Sequence, residues 1–486
     1  MRTDILADYN APATPLSHPW RLCVGSGHAT LALRADWQAQ LREASAELGF
    51  RYVRFHGLLD DDMGTLICQS NEFVYSFFNA DQIFDFLVSI GMRPIVELSF
   101  MPSTLSSGGN IVFHYKGNIT PPREMAQWGE LMRRLAQHWV DRYGVDEVAQ
   151  WYFEVWNEPN LPAFWTGDQA LYFELYRTTI TAIKGVDARL RVGGPATAGN
   201  AWIPEFQQYC ADHAVPPDFI STHYYPTDAF GEIGADTITQ LAHAPLDVMR
   251  QHALIAREQA AGKPLLYTEW NITSNPRDPL HDSAVAAALA VRIVMGVDDV
   301  VDAYSYWTFS DIFEENYFPS VPFHGGFGLM NLHGIKKPIY HAFAMVAKLG
   351  KAQHPVSLAH PTVMLWVGEV AEQEDASHML IINQAMPRHP IGDEDLLLRL
   401  APRSGWRARS ASVARIDEAH ANPAGLWRTW GEPNYLSAKQ VASLQAEAEP
   451  RAEALALGLV GEQQTLALTV ATQSANLVRI VWERLP

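Results

Sequence analysis

Two glutamates combine residue type and position in a way that allows chemistry. Glu158 lies in Trp156-Asn157-Glu158-Pro159 and Glu269 in Thr268-Glu269-Trp270-Asn271, each directly after an apolar run. Two facing carboxyl groups suit cleavage of a glycosidic bond, where one protonates the leaving oxygen and the other meets the oxocarbenium-like carbon. At a separation of about 5–5.5 Å the second can bond that carbon, and the product keeps its configuration. Carboxylates so close do not both ionise cheaply, so one holds its proton near neutral pH while its neighbour stays anionic. We assign Glu158 as general acid and then base, and Glu269 as nucleophile. Once Glu269 is an ester its charge is gone, and Glu158 can lose its proton and deprotonate water.

Such a pair needs a scaffold that aims distant residues into one bowl. From about residue 20 to 310, short apolar runs alternate with helix-like stretches, the texture of βα units. Runs at Trp20–Val24, Arg51–Phe55, Arg93–Leu98, Trp151–Trp156, Leu190–Gly193, Asp218–Thr222, Pro264–Thr268 and Asp302–Thr308 predict the eight strands of a (β/α)8 TIM barrel, an α/β fold. His56 follows the second run, Asn157 and Glu158 the fourth, His223 and Tyr225 the sixth, Glu269 the seventh, and Trp307 closes the eighth. Polar and aromatic side chains gathered at strand C-termini mark the catalytic face of such a barrel. Glu97 also ends a run, but no mechanistic partner is evident, and a structural hydrogen-bonding role is expected.

Beyond about residue 350 the period changes to 2, as in Thr362–Val367, His378–Asn383, Leu396–Leu400, Thr465–Val470 and Leu477–Trp482, predicting an antiparallel β-sandwich. The expected organisation is a catalytic barrel over 15–346 and an accessory sandwich over 347–486, with 1–14 packing on the latter. Ser437–Glu447 reads as a short helix or a loop excursion. Trp430-Gly431-Glu432-Pro433 mimics the Glu158 motif without a preceding barrel strand, and Glu432 is read as a decoy.

Composition narrows the partners. A formal charge of −18 over 486 residues opposes nucleic-acid or anionic-membrane surfaces. The most apolar stretch, Val285–Val297, is too short to span a bilayer and contains Arg292, so a buried barrel helix is expected. The N-terminal residues lack a continuous apolar run, which reads as a cytoplasmic chain. Cys23, Cys68 and Cys210 fit neither a disulfide framework nor a zinc spacing and are expected to be buried thiols. Without a His-x-His or His-Glu-x-x-His pair, no metal or other cofactor is expected. The oligomeric state is not legible.

The motifs together resemble glycoside hydrolase family 39, which contains β-xylosidases and α-L-iduronidases. The resemblance spans most of the barrel and rests on YVRFHGLLD (52–60), YKGNITPP (115–122), FEVWNEPN (153–160), STHYYP (221–226), YTEWN (267–271), YSYWTFSDIFEE (304–315) and PFHGGFGL (322–329). It implies the same roles for Glu158 and Glu269, and sugar contacts for His56, Asn157, His223, Tyr225, Trp307, Glu314 and Glu315. Asn157 can donate to a sugar 2-OH, or else cap a loop. His223 and Tyr225 can orient Glu269, although a lone histidine is also an ordinary core residue. Trp307 offers a flat face to a pyranose or simply packs the barrel. Which of Glu314 and Glu315 meets the substrate stays open.

An iduronide carries a carboxylate that a site normally meets with Arg or Lys, and Ser310–Glu315 supplies Asp311, Glu314 and Glu315 with no cation. A small neutral oligosaccharide is therefore the expected partner, with release of terminal xylose favoured and an arabinosidase activity the alternative. A noncatalytic sugar-binding module and a metal-dependent barrel hydrolase are the rival classes.

Overall fold

The computed structural model describes residues 2–70, 72–228, 236–315, 317–319, 321–371 and 375–485. Eight parallel strands close a barrel in chain order: β1 (Cys23–His28), β2 (Tyr52–His56), β3 (Arg93–Leu98), β4 (Tyr152–Val155), β5 (Arg191–Ala198), β6 (Phe219–His223), β7 (Leu265–Trp270) and β8 (Ala303–Tyr306). Each is followed by an outer helix: α1 (Ala35–Leu48), α2 (Phe78–Ser89), α3 (Met125–Tyr143), α4 (Gln169–Lys184), α5 (Ile203–Asp212), α6 (Val248–Gln259), α7 (Ala284–Val297) and α8 (Pro338–Ala347). All eight expected runs became strands. The first starts later than read, because Pro19–Arg21 winds a 3-10 turn and leaves Trp20 packed against Phe50 and Phe343.

Strand alternation sorts the side chains. Val53, Phe55, Phe153 and Val155 face the helices in the large outer core. Tyr52, Ile95, Phe219 and Leu266 form an apolar plug at the strand N-termini, packed by Tyr152. The next inward positions, Arg54, Glu97, Glu154 and Thr268, make a polar layer that is fully buried. On β7 the register slips, pairing Thr222 with Tyr267 but His223 with Glu269. This bulge lets two consecutive residues, Thr268 and Glu269, both reach the interior.

Two sheets follow the barrel. One has seven strands, with Thr14–Pro15 and Ala352–His354 at one end and Ser474–Arg484 between Ala376–Asn383 and Trp406–Ile416. The other has four and is antiparallel, as expected, apart from its edge, where Thr3–Asp8 runs parallel to Glu394–Ala401. A core including Ile5, Leu396, Leu466 and Val478 fills the space between the sheets. Leu380, Ile382 and Ala475 belong instead to the barrel's outer core, so one face of the larger sheet packs on the barrel. Arg292 of α7 crosses this contact to Gln384.

The 437–447 stretch is helical, Ala438–Ala448, started by a capping box between Ser437 and Gln440. Cys23 and Cys210 are buried, but Cys68 is exposed, contrary to expectation, because it lies on the solvent face of a two-stranded hairpin, Leu66–Gln69 with Glu72–Tyr75. Among the described residues no helix is long and apolar enough to cross a membrane.

Candidate active site

A cavity of about 1210 Å³ opens at the strand C-termini, and His56, Asn157, Glu158, Tyr225, Glu269, Trp307 and Glu315 line it. Glu158 and Glu269 therefore share one bowl. An oxygen of each and a ring nitrogen of His223 lie within 4.8 Å of one another. Glu158 sits on a tight turn after β4 in which Trp156 and Glu158 both take positive φ, 73° and 45°. Residues with side chains hold that conformation at about 1–3 kcal/mol each, so the surroundings must enforce it. They do so through Glu158 N–H to Ala196 O, Trp156 Nε1 to Phe164 O and Tyr172 Oη to Val155 O.

Glu269 accepts from Arg54 Nη1 at 2.7 Å and from Tyr225 Oη at 2.9 Å. Both donors favour the anion. His223 corrects the expectation that it orients Glu269. Its Nδ1 lies 2.9 Å from Glu158 Oε1 and 3.7 Å from Glu269 Oε2, because β6 ends beside the β4 turn. His223 does not line the cavity but stands behind it, fully buried.

Arg54 is the residue that motif reading missed. Its Nε pairs with Glu154, Nη1 with Glu269, and Nη2 with Glu97 at 2.8 Å and Asn157 Oδ1 at 3.0 Å. Asn157 thus presents its amide NH2, rather than its oxygen, to the bowl. Glu97 also takes His56 Nδ1 at 2.8 Å and the Ser99 hydroxyl. A signal was available in the alternation of Tyr52-Val53-Arg54-Phe55-His56 and Tyr152-Phe153-Glu154-Val155, which places a cation and an anion at matching inward positions. Glu154 and Thr268 escape motif reading for the same reason, since a buried polar residue is defined by its partner on another strand.

The two neighbouring glutamates after β8 diverge. Glu315 lines the bowl, 3.4 Å from His56 Nε2. Glu314 instead joins His28 Nδ1 at 2.9 Å, in a cluster where His28 Nε2 is 3.2 Å from Asp60 and 3.4 Å from Asp62. Trp307 lies across Gly25, where a Cβ would come within 2.4 Å of the indole. Glu432 is exposed in the turn after Pro423–Thr429, outside the cavity lining.

Burial sets the proton affinities. It pushes Glu158 up to about 7, with His56 and Arg54 pulling the other way. Burial also raises Glu269, against His223 and Arg54. His223 is driven down to about 4 by burial and is a neutral imidazole near pH 7. Burial opposes charge on His56 too, but Glu97, Glu315 and Glu269 outweigh it and lift it to about 10.

Facing carboxyl groups of unequal surroundings, at the C-terminal face of a (β/α)8 barrel, define an O-glycosyl hydrolase. Comparison with known proteins agrees. The profile described as Glycosyl hydrolases family 39 matches residues 3–464, and the chain belongs to that family. It is 44% identical over 485 residues to a beta-xylosidase of Caldicellulosiruptor saccharolyticus, covering 98% of each chain. It is 37% identical to a beta-xylosidase of Geobacillus stearothermophilus, covering 87% of this chain and 85% of the other. The crystal structure of a monomeric beta-xylosidase from Caulobacter crescentus CB15 superposes with a TM-score of 0.86 at 35% identity, covering 99% of both chains.

Proposed function

We propose that this enzyme is a retaining, exo-acting β-xylosidase that releases terminal xylose from short neutral xylo-oligosaccharides. The observation that carries the mechanism is the approach of Glu158 and Glu269 within 4.8 Å across one bowl. Glu269, held as an anion by Arg54 and Tyr225, attacks the anomeric carbon while Glu158 protonates the departing oxygen. Glu158 then takes a proton from water, whose oxygen displaces Glu269 and restores the starting configuration.

The remaining contacts follow from the donors and acceptors left free. The Asn157 amide NH2 is placed for the 2-OH, Trp307 offers its face to the ring, and Glu315 accepts from outer hydroxyls while His56 donates. Glu314, tied to His28, serves the loop rather than the sugar.

Two observations support a neutral pentose. No Lys or Arg occurs among the described lining residues, whereas Asp228, Asp236, Asp278 and Glu315 do. A sugar carboxylate would meet repulsion there. Arg54 lies beneath the lining, already engaged by Glu97, Glu154 and Glu269, and is not free to pair with a sugar carboxylate. The relatives at 44% and 37% identity over most of this chain are beta-xylosidases, which favours xylose over its epimers.

Initial rates on nitrophenyl β-xyloside, α-arabinoside and α-iduronide test the substrate, with the xyloside fastest. NMR of the first product tests the mechanism, with β-xylose expected before mutarotation. No turnover of any of the three would leave only a sugar-binding protein, and α-xylose appearing first would overturn retention.

A further inference from the structure

We infer that Thr268 and Glu154 lock His223 in the tautomer that keeps Glu158 protonated, so these two residues, which touch no substrate, set up the acid half of the reaction. The inference rests on Glu158 being the proton donor.

The assignment comes from counting protons. Arg54 Nε pairs with Glu154 Oε2, and the Thr268 hydroxyl donates to Glu154 Oε1 at 2.7 Å. A carboxylate paired with a guanidinium only accepts, and a threonine hydroxyl has one hydrogen. That hydrogen is spent on Glu154. His223 Nε2, 3.1 Å from the Thr268 oxygen, must therefore carry the proton of their contact. A neutral imidazole with N–H at Nε2 has a bare lone pair at Nδ1. Nδ1 faces Glu158 Oε1 at 2.9 Å, and the hydrogen of that bond can only be the carboxyl's own. Burial, which disfavours imidazolium here, points the same way.

The arrangement acts in both steps. Before the glycosidic bond breaks, Nδ1 holds the Glu158 proton while leaving it transferable. When that proton passes to the leaving oxygen, as C1 bonds to Glu269, the Glu158 carboxylate is left facing a lone pair. The repulsion makes it a stronger base toward the next water, whose proton returns to Glu158 while its oxygen bonds C1 and the electron pair of the ester bond returns to Glu269. The other groups around Glu158 come from every side: Arg54 and His56 on β2, Glu97 on β3, Tyr225 and Asp228 after β6, Glu269 on β7 and Glu315 after β8. Among the described neighbours His223 alone makes a direct hydrogen bond to the Glu158 carboxyl.

Two measurements test this. In the wild-type enzyme at pH 6, 15N NMR of histidine should show one imidazole with protonated Nε2 and bare Nδ1 whose signals disappear in His223→Gln. A bare Nε2, or an imidazolium, overturns the inference whatever the substrate. In Thr268→Val, His223 is free to turn its N–H toward Glu158, so the alkaline limb of kcat/KM should move down by about one pH unit. The loss should also be about ten-fold or more greater on xylobiose than on dinitrophenyl xyloside, and Thr268→Ser should restore both. An unmoved alkaline limb, or equal loss on both substrates, refutes the lock. Failure of the wild type to hydrolyse either substrate refutes the functional reading instead, and leaves the tautomer to the NMR.

Discussion

Arg54 Nη1 lies 2.7 Å from Glu269 Oε1 while the same guanidinium holds Glu97 and Glu154, so one buried cation is shared by three buried carboxylates. Removing it leaves Glu154 without its cation and Glu97 with His56 alone. Arg54→Met should cost about 3–5 kcal/mol of stability, as breaking a buried ion pair does, and lower kcat sharply. Chemical denaturation monitored alongside kcat checks this. A variant of unchanged stability would show that the carboxylates are not all charged.

The burial that lifts Glu158 to about 7 makes stability depend on pH. An ordinary glutamate has a pKa of 4.5, so the fold binds this proton more tightly than the unfolded chain does. The stabilisation is complete below 4.5 and is lost as pH rises through about 7. Glu158→Gln removes the loss, and at pH 8 should be more stable than wild type by up to about 3 kcal/mol. Equal pH dependence in the two proteins would contradict the burial argument. The alkaline limb of wild-type kcat/KM should fall near the same pH.

Removing each glutamate should give a different signature. Glu158→Ala should lose about 100- to 10,000-fold on poor leaving groups and far less on good ones, which depart without a proton. Glu269→Gly should be inactive on both, and any glycosyl azide formed by added azide should have inverted configuration. An azide product of retained configuration from Glu269→Gly would reassign the nucleophile.

Glu315 and Glu314 are neighbours with different surroundings. Glu315→Ala should cut kcat/KM on xylosides by about 10- to 100-fold, the worth of hydrogen bonds to a charged acceptor. Glu314→Ala, which frees His28 from the loop, should change activity less and thermal stability more. Reversal of that order in steady-state kinetics would mean that the loop rearranges around the sugar.

The sequence showed the barrel because its periodicities were strong: each apolar run was followed by a helical stretch, and the catalytic pair sat at strand ends. The long strand Trp406–Ile416 went unseen, since RARSASVAR carries few large apolar residues to alternate. Its partner Ser474–Arg484 supplies the burial. Within the site, residues facing the bowl were legible by position, but Arg54, Glu154 and Thr268 were not, because a buried polar layer is defined by partners on other strands. His223 lies nearer Glu158, two strands away, than Glu269 on the adjacent strand, and side-chain distances across strand ends, here 2.9 and 3.7 Å, are not encoded in either motif.

Thr3–Asp8 fills an edge of the four-stranded sheet beside Glu394–Ala401. Arg2 Nε meets the carbonyl of Leu396 across a separation of 394 positions. During synthesis, then, Thr3–Asp8 must wait until Glu394–Ala401 has left the ribosome before it finds its neighbour. The lobes also cannot be expressed apart by one cut between them, because the C-terminal fragment would lack the ribbon that covers that edge.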